Sequence, residues 1–366
     1  MQELDELKKE AIQLLKTLIR EPSYSGKEDG TAEILQQFLQ AKNIPHIKKN
    51  NNIIAGIEAL DPGLPTCLLN SHHDTIKVVN GWTHDPFGAI EKDGKLFGLG
   101  ANDAGASLVS LVITYIYLHE QKQDFNLILA ATAEEENFGP NGIKSLIDHE
   151  LSPVDFGIVG EPTNMEMAIA EKGLLVIDGE AIGEAGHAAR QEGENAIYKA
   201  VKDIQKISDY QFNRVSETLG TNVMTVTQID AGVQHNVVPD SCKFVIDLRV
   251  NELYDLEEAF KEVQNICESS LKARSFNNRP SGISLDHPLV RAGQKLGLTL
   301  FGSPTLSDQA NLKFPTIKMG PGFSERSHTP DEYIYIKEVD QGIDGYVNLL
   351  KALNPYEMTK IKNEGI

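Results

Sequence analysis

Apolar residues fall at helical spacing twice near the start of the chain: Leu4, Leu7, Ile12, Leu15, Leu18 and Ile19, then Ile34, Leu35, Phe38 and Leu39 after the turn-rich segment EPSYSGKEDG. A repeat of three to four residues puts such side chains on one face, so the pattern predicts two amphipathic helices. The period then shortens. Strand-type runs at Ile53 to Ala59, Cys67 to Asn70, Leu127 to Thr132 and Phe156 to Val159 surround a helical stretch from about Ala104 to His119. Short β-type runs alternating with helices predict an α/β fold, a mixed sheet covered by helices.

Past residue 172 the order changes. A strand from Leu174 to Ile182, a helix from Asn195 to Ile207, strands from Asn222 to Asp230 and Cys242 to Val250, a helix from Leu256 to Leu271 and a short run from Ala273 to Phe276 succeed one another. That β-α-β-β-α-β order is the ferredoxin-like arrangement, and the segment NNRPSG closes it. A helix after Ile283, a strand around Thr316 to Met319 and a helix from Val339 to Leu350 complete the chain. The expected organisation is a three-layer domain, residues 1–172 and 283–366, interrupted by an inserted domain, residues 173–282. At 366 residues the chain exceeds the usual size of a single core, which agrees with two domains.

Composition narrows the function. A formal charge of −19 argues against a nucleic-acid or anionic-membrane surface, which needs clustered Lys and Arg. Three cysteines, Cys67, Cys242 and Cys267, are widely spaced and form no CxxC pair, as expected in a reducing compartment. The N-terminal segment MQELDELKKEAIQLLKTLIR has no apolar signal-type region, and no run approaches the roughly 20 apolar residues of a membrane span. The expectation is a soluble cytoplasmic protein with a small-molecule partner.

The candidate chemistry sits where the apolar runs end. His72 closes one, Glu135 and Glu136 follow another in AATAEEENFGPNG, and Glu161 follows a third in IVGEPT. In open sheets ligands bind beyond the carboxyl ends of the strands, so fold rule and residue type select one edge. Asp103 is placed at a helix start, where free amides favour a carboxylate. His72 and Asp74, two apart in an extended chain, share a face, and the aspartate can orient the imidazole while His73 points away. Imidazoles and carboxylates without thiolates suit a divalent ion with an open position rather than a closed structural zinc site. Adjacent glutamates such as Glu135 and Glu136 can divide the labour between ion and proton. The run KLFGLGANDAG is not a dinucleotide loop, because the third glycine of that fingerprint falls at Asp103. His84, His119, His149, His235 and His287 lack an acidic partner at useful spacing and are assigned to surface or packing roles.

Taken in order, NSHHDTI, GWTHDPFGAIEKDGKLFGLGANDAG, TAEEENFGPNG, IVGEPT, GEAGHAAR, QHNVVPDSCKFVIDLR and SERSHTPDEYI resemble the co-catalytic zinc peptidase and deacylase family over nearly the whole chain. That family includes acetylornithine deacetylases, succinyl-diaminopimelate desuccinylases, aminoacylases and glutamate carboxypeptidases. The resemblance implies a catalytic domain interrupted by a ferredoxin-like lid that makes a homodimer. It implies two divalent ions, Zn²⁺ or in its place Co²⁺ or Mn²⁺: His72 and Glu161 on one, Glu136 and His328 on the other, Asp103 bridging. Asp74 would orient His72, and Glu135 would be the general base. His187 resembles the lid histidine that stabilises the oxyanion across the dimer, and Asn236 and Arg249 resemble lid residues that bind the substrate's polar groups. Alternation of Cys242, Phe244, Ile246 and Leu248 independently leaves Arg249 on the polar face of its strand. The chain departs from the family in reading Asp103-Ala104-Gly105-Ala106 where many members have D-M-K-G, in Ser71 before the ligand histidine, and in Arg190 where proline is common.

Within the family HTPDEYI is most similar to acetylornithine deacetylases, which implies removal of acetyl from the α-nitrogen of ornithine or citrulline, in arginine biosynthesis. One methyl or terminal group is worth only about 1 to 3 kcal/mol to a pocket, so desuccinylase and dipeptidase readings stand beside it. A non-catalytic binding homologue is the reading of another class.

Overall fold

The structure, a computed structural model, describes residues 2–354, 357–358 and 361, apart from Ala59 and Gln191. It divides into two compact units: Met1–Ile169 with Ile283–Phe301 and Ser307–Ile366, and Ala170–Gly282 with Gly302–Leu306.

The first unit is built on a mixed sheet in the order His46–Lys49, Asn52–Ala55, Asn126–Thr132, Thr66–His72, Phe156–Val159, Thr316–Lys318 and Met167–Glu171, the last strand running on past the unit's boundary. The four strands from Asn126–Thr132 to Thr316–Lys318 are parallel, and the flanking ones antiparallel. Parallel strands are buried on both faces, and here alternation divides the side chains between two cores. Cys67, Leu69, Leu127 and Leu129 face the large core under the helices Gln2–Arg20, Ala106–Leu118 and Ile336–Lys351. Leu68, Ile128 and Ala130 face a smaller core closed by Ile143, Leu146, Leu151 and Val154. Residues 101–118 have the length and apolar character of a membrane span, but 78% of that stretch is buried inside the unit, as befits a core helix. Leu108 and Leu111 there are fully buried, and truncating either to alanine costs about 2–5 kcal/mol.

Element boundaries differ from expectation in three places, the last being the run expected from Ala273 to Phe276, whose strand is Ser270–Ala273. The strand expected from Ile53 to Ala59 ends at Ala55, and Ala59 lies outside the described residues. Gly56 follows at φ +88°, with the Leu127 carbonyl against the place where a Cβ would stand, so the backbone turns where a side chain does not fit. The helix expected to reach Leu271 stops at Ile266, and Leu271 lies instead in the strand Ser270–Ala273. Buried Asp203 accepts the amides of Glu268 (3.0 and 3.1 Å) and Ser269 (2.7 Å) and draws the chain out of the helix.

In the second unit Gly173–Ile182, Ala196–Asp209, Val223–Ala231, Ser241–Val250, Leu256–Ile266 and Ser270–Ala273 follow in β-α-β-β-α-β order. The sheet order is Val223–Ala231, Ser241–Val250, Gly173–Ile182, Ser270–Ala273, all neighbours antiparallel. Leu175, Ile177, Phe244, Ile246 and Leu248 form its core with Ala200, Ile207, Ala259 and Val263 from the two helices.

Candidate metal centre

The parallel strands position the first donors. Thr66–His72 lies between Asn126–Thr132 and Phe156–Val159, with His72 opposite Thr132 and Asn70 opposite Val159. The sheet therefore ends level across three strands, and the chain beyond each end carries Asp74, the glutamates at 134–136, and Glu161. His72 is buried, and its Nε2 has no hydrogen-bond partner. Around that nitrogen stand Asp103 Oδ1 at 3.4 Å, Glu161 Oε1 at 3.6 Å and Glu135 Oε2 at 3.9 Å.

A second imidazole arrives from far along the chain. His328 Nε2 lies 3.0 Å from Glu136 Oε2 and 3.6 Å from Asp103 Oδ2. Asp103 thus turns one oxygen toward each imidazole. Donor atoms of His72, Glu135 and Glu161 lie within 4.8 Å of one another, as do those of His72, Asp103 and Glu136. All six metal-type residues singled out in the first domain, His72, Asp103, Glu135, Glu136, Glu161 and His328, meet at one place.

The three neighbouring glutamates separate by role. Glu134 turns back to accept from the amide and side chain of Asn141, both at 2.9 Å, and stabilises the loop. Glu135 and Glu136 point into the cluster.

Charge in the cluster is unbalanced. Burial, with neighbouring acids, holds the Glu135 and Glu161 carboxyls well above the ordinary carboxylate range and raises Glu136 as well. Burial works against a proton on His72, yet Asp103, Asp74, Glu135 and Glu161 raise its pKa well above that of a free imidazole. The bond to Glu136 lifts His328 to about 9. Of the four carboxylates in the cluster Asp103, between the two imidazoles, alone has a lowered pKa, their attraction outweighing its burial. Acids crowded into a buried place around an imidazole nitrogen that has no hydrogen-bond partner are the electrostatic signature of a cation site. Carboxylate oxygen and imidazole nitrogen fit divalent ions of the Zn²⁺, Co²⁺ and Mn²⁺ group.

The supporting contacts were only partly foreseen. His72 Nδ1 lies nearer the main-chain oxygen of Asp74 (3.0 Å) than its carboxylate (3.5 Å), so the orienting partner is chiefly backbone. The Asp74 carboxylate accepts instead from the amides of Glu135 (3.0 Å) and Glu136 (3.1 Å) and from the Ser25 hydroxyl (2.7 Å). His73 does point away, to Thr31 Oγ1 at 2.8 Å and the Asn51 carbonyl at 2.9 Å. Asp103 is not in the first turn of a regular helix. Residues 101–105 form a wide irregular turn, and the free amides of Gly100, Asn102 and Asp103 point to Glu332. His84, expected to lack an acidic partner, has Asp331 Oδ1 at 3.2 Å, from the other end of the chain. Buried Asp308, raised to about 6 by burial, accepts from Thr132 at 2.8 Å and had no sequence signal.

In the second unit Gly186–His187 pairs with Val237–Val238, and the Ala188 amide donates to the Asn236 carbonyl at 3.1 Å, so His187 and Asn236 are neighbours and both are exposed. Arg249 lies on the less buried face of its strand and makes a two-pronged contact with Asp247, at 2.8 and 3.1 Å.

A mixed α/β sheet whose parallel strand ends converge on two histidines and four carboxylates defines a metal-dependent hydrolase of linear amides, and the chain belongs to peptidase family M20/M25/M40, whose model matches residues 68–352. Its relatives include an acetylornithine deacetylase from Proteus mirabilis, 27% identical over 88% of this chain and 91% of that protein. A succinyl-diaminopimelate desuccinylase from Wolbachia pipientis is 26% identical over 98% of this chain and 96% of its own. In fold the chain is similar to a tripeptidase from Staphylococcus aureus, with a TM-score of 0.78 at 19% identity over 94% of this chain and 98% of that one.

Proposed function

We propose that the protein removes a small acyl group, acetyl first among the candidates, from the α-nitrogen of an amino acid such as ornithine or citrulline, as a step of arginine biosynthesis. The observation that carries the hydrolytic reading is Asp103 standing between His72 and His328, 3.4 and 3.6 Å from their Nε2 atoms. His72 and Glu161 would hold one divalent ion, Glu136 and His328 the other, and Asp103 both, with zinc the preferred metal. Bound there, two such ions would polarise the amide carbonyl and lower the pKa of the attacking water. Glu135, buried and beside the cluster, takes the proton from that water and delivers it to the leaving amine. Asp74 fixes the main chain of both glutamates.

In this reading the second unit is a lid. His187, supplied by a second copy of the chain, donates to the oxyanion, while Asn236 and Arg249 bind polar groups of the substrate. A homodimer through this unit is supported by its unpaired edge strand Val223–Ala231, with Val223 and Ile229 about half exposed, and by exposed Tyr198 and Val201 on the helix Ala196–Asp209. Edge strands with apolar outer positions favour pairing with another chain. A cytoplasmic location agrees with three free cysteines, two of them buried.

A desuccinylase is the second reading, favoured by a relative of that name aligned over 98% of the chain. Amine release from acetyl- and succinyl-ornithine, citrulline, lysine and diaminopimelate, with a few dipeptides, by zinc-loaded protein decides between them. Preference for the acetyl substrates supports the proposal, preference for succinyl ones replaces it, and silence toward all with two ions bound favours a non-catalytic homologue.

A further inference from the structure

We propose that Glu332 is the positioning residue that fixes Asp103 relative to His328 and thereby sets the affinity for the second divalent ion, the one assigned to Asp103, Glu136 and His328. The inference rests on the two-ion reading above. The two halves of the centre are supported differently. His72 ends one of two adjacent parallel strands and Glu161 follows the other, and their ladder holds the separation. Asp103 and His328 come from irregular segments far apart in sequence, and the antiparallel ladder that joins their neighbours, Lys95–Phe97 with Tyr333–Tyr335, stops short of both.

Glu332 carries that connection on to Asp103. It is buried, at 2% exposure, four residues beyond His328. Its Oε1 accepts the amides of Asn102 at 2.8 Å and Asp103 at 3.0 Å, its Oε2 accepts that of Gly100 at 3.2 Å, and its main-chain oxygen accepts that of Gly98 at 3.0 Å. Asn102 completes the clamp from the other side. Its Nδ2 donates to the Phe323 carbonyl at 3.0 Å and Ser327 Oγ at 3.2 Å, and its Oδ1 accepts the Phe323 amide at 3.1 Å. His328 sits inside this clamp at φ +60°, a left-handed conformation that a histidine keeps only when its surroundings hold it. Three N–H donors converging on two oxygens require a carboxylate. A glutamine would turn its own NH₂ toward one of those donors.

The test is equilibrium dialysis of the metal-stripped full chain against buffered Zn²⁺, comparing wild type, Glu332→Gln and Asn102→Ala. The expected result in Glu332→Gln is a second ion weakened about 10- to 100-fold, the usual effect of removing an outer-shell partner, and a first ion, which keeps His72 and Glu161, weakened clearly less. Asn102→Ala should shift in the same direction by less. Wild-type affinity for both ions in Glu332→Gln, or equal weakening of both, overturns the proposal. Should Glu332→Gln fail to fold, Asn102→Ala decides alone by the same two criteria. A wild-type chain that takes up fewer than two ions refutes the two-ion reading itself, which separates that failure from this one.

Discussion

Asp74 Oδ1 accepts the main-chain amide of Glu135 at 3.0 Å. With Oδ2 accepting from Glu136 at 3.1 Å and from Ser25 at 2.7 Å, one carboxylate fixes the backbone on which two roles depend, proton transfer and ion binding. In Asp74→Asn the amide group can no longer accept from both sides, so metal affinity should fall about 10- to 100-fold. Ser25→Ala, which leaves both amide bonds in place, should lose less. Zinc dialysis on the two variants checks the order.

Glu135→Gln keeps the volume and loses the base. Turnover should drop about 100- to 10,000-fold while both ions stay bound. Metal content and amine release measured on one preparation test this, and near-normal turnover would remove Glu135 from the mechanism.

His328 reaches the centre through Glu136 and Asp103, and neither contact involves His72. His328→Ala should therefore lower the stoichiometry from two ions to one without emptying the His72 side, and turnover should fall with it. A chelator should abolish turnover in the wild type and zinc should restore it. Elemental analysis after gel filtration gives the stoichiometry.

His287 caps the helix Pro288–Lys295, its Nδ1 accepting the Leu289 amide at 3.2 Å, and burial lowers its pKa to about 4. An unfolded histidine titrates near 6.5, so between those values the unfolded chain holds a proton that the folded one does not. Its contribution to stability is therefore complete above pH ~6.5 and is lost as pH falls toward 4. His287→Asn keeps a capping acceptor without the titration, so its urea midpoint should fall less steeply with acid than that of wild type. Parallel slopes for the two proteins would contradict this.

How much of the site was legible follows from how local each signal is. Glu135 and Glu161 stand just past apolar runs, so a strand-end rule reaches them. The same rule offers Glu134 equally, and only the loop geometry sends that side chain back to Asn141. Free amides of a helix start were expected to favour Asp103, yet those of Gly100, Asn102 and Asp103 are taken by Glu332, which no spacing connects to them. Asp203 shows the same limit in the fold, ending a helix from a distant element.

The sequence by itself determined the donor chemistry, the alternation of strands and helices and the β-α-β-β-α-β order, because periodicity records which face of an element is buried. Tertiary structure alone decided that Asp103 stands between His72 and His328, that Asp74 holds two amides, and that Glu332 joins segments far apart in the chain. Those contacts depend on where each strand ends and how each loop returns, and the pairing of distant groups leaves no trace in local periodicity.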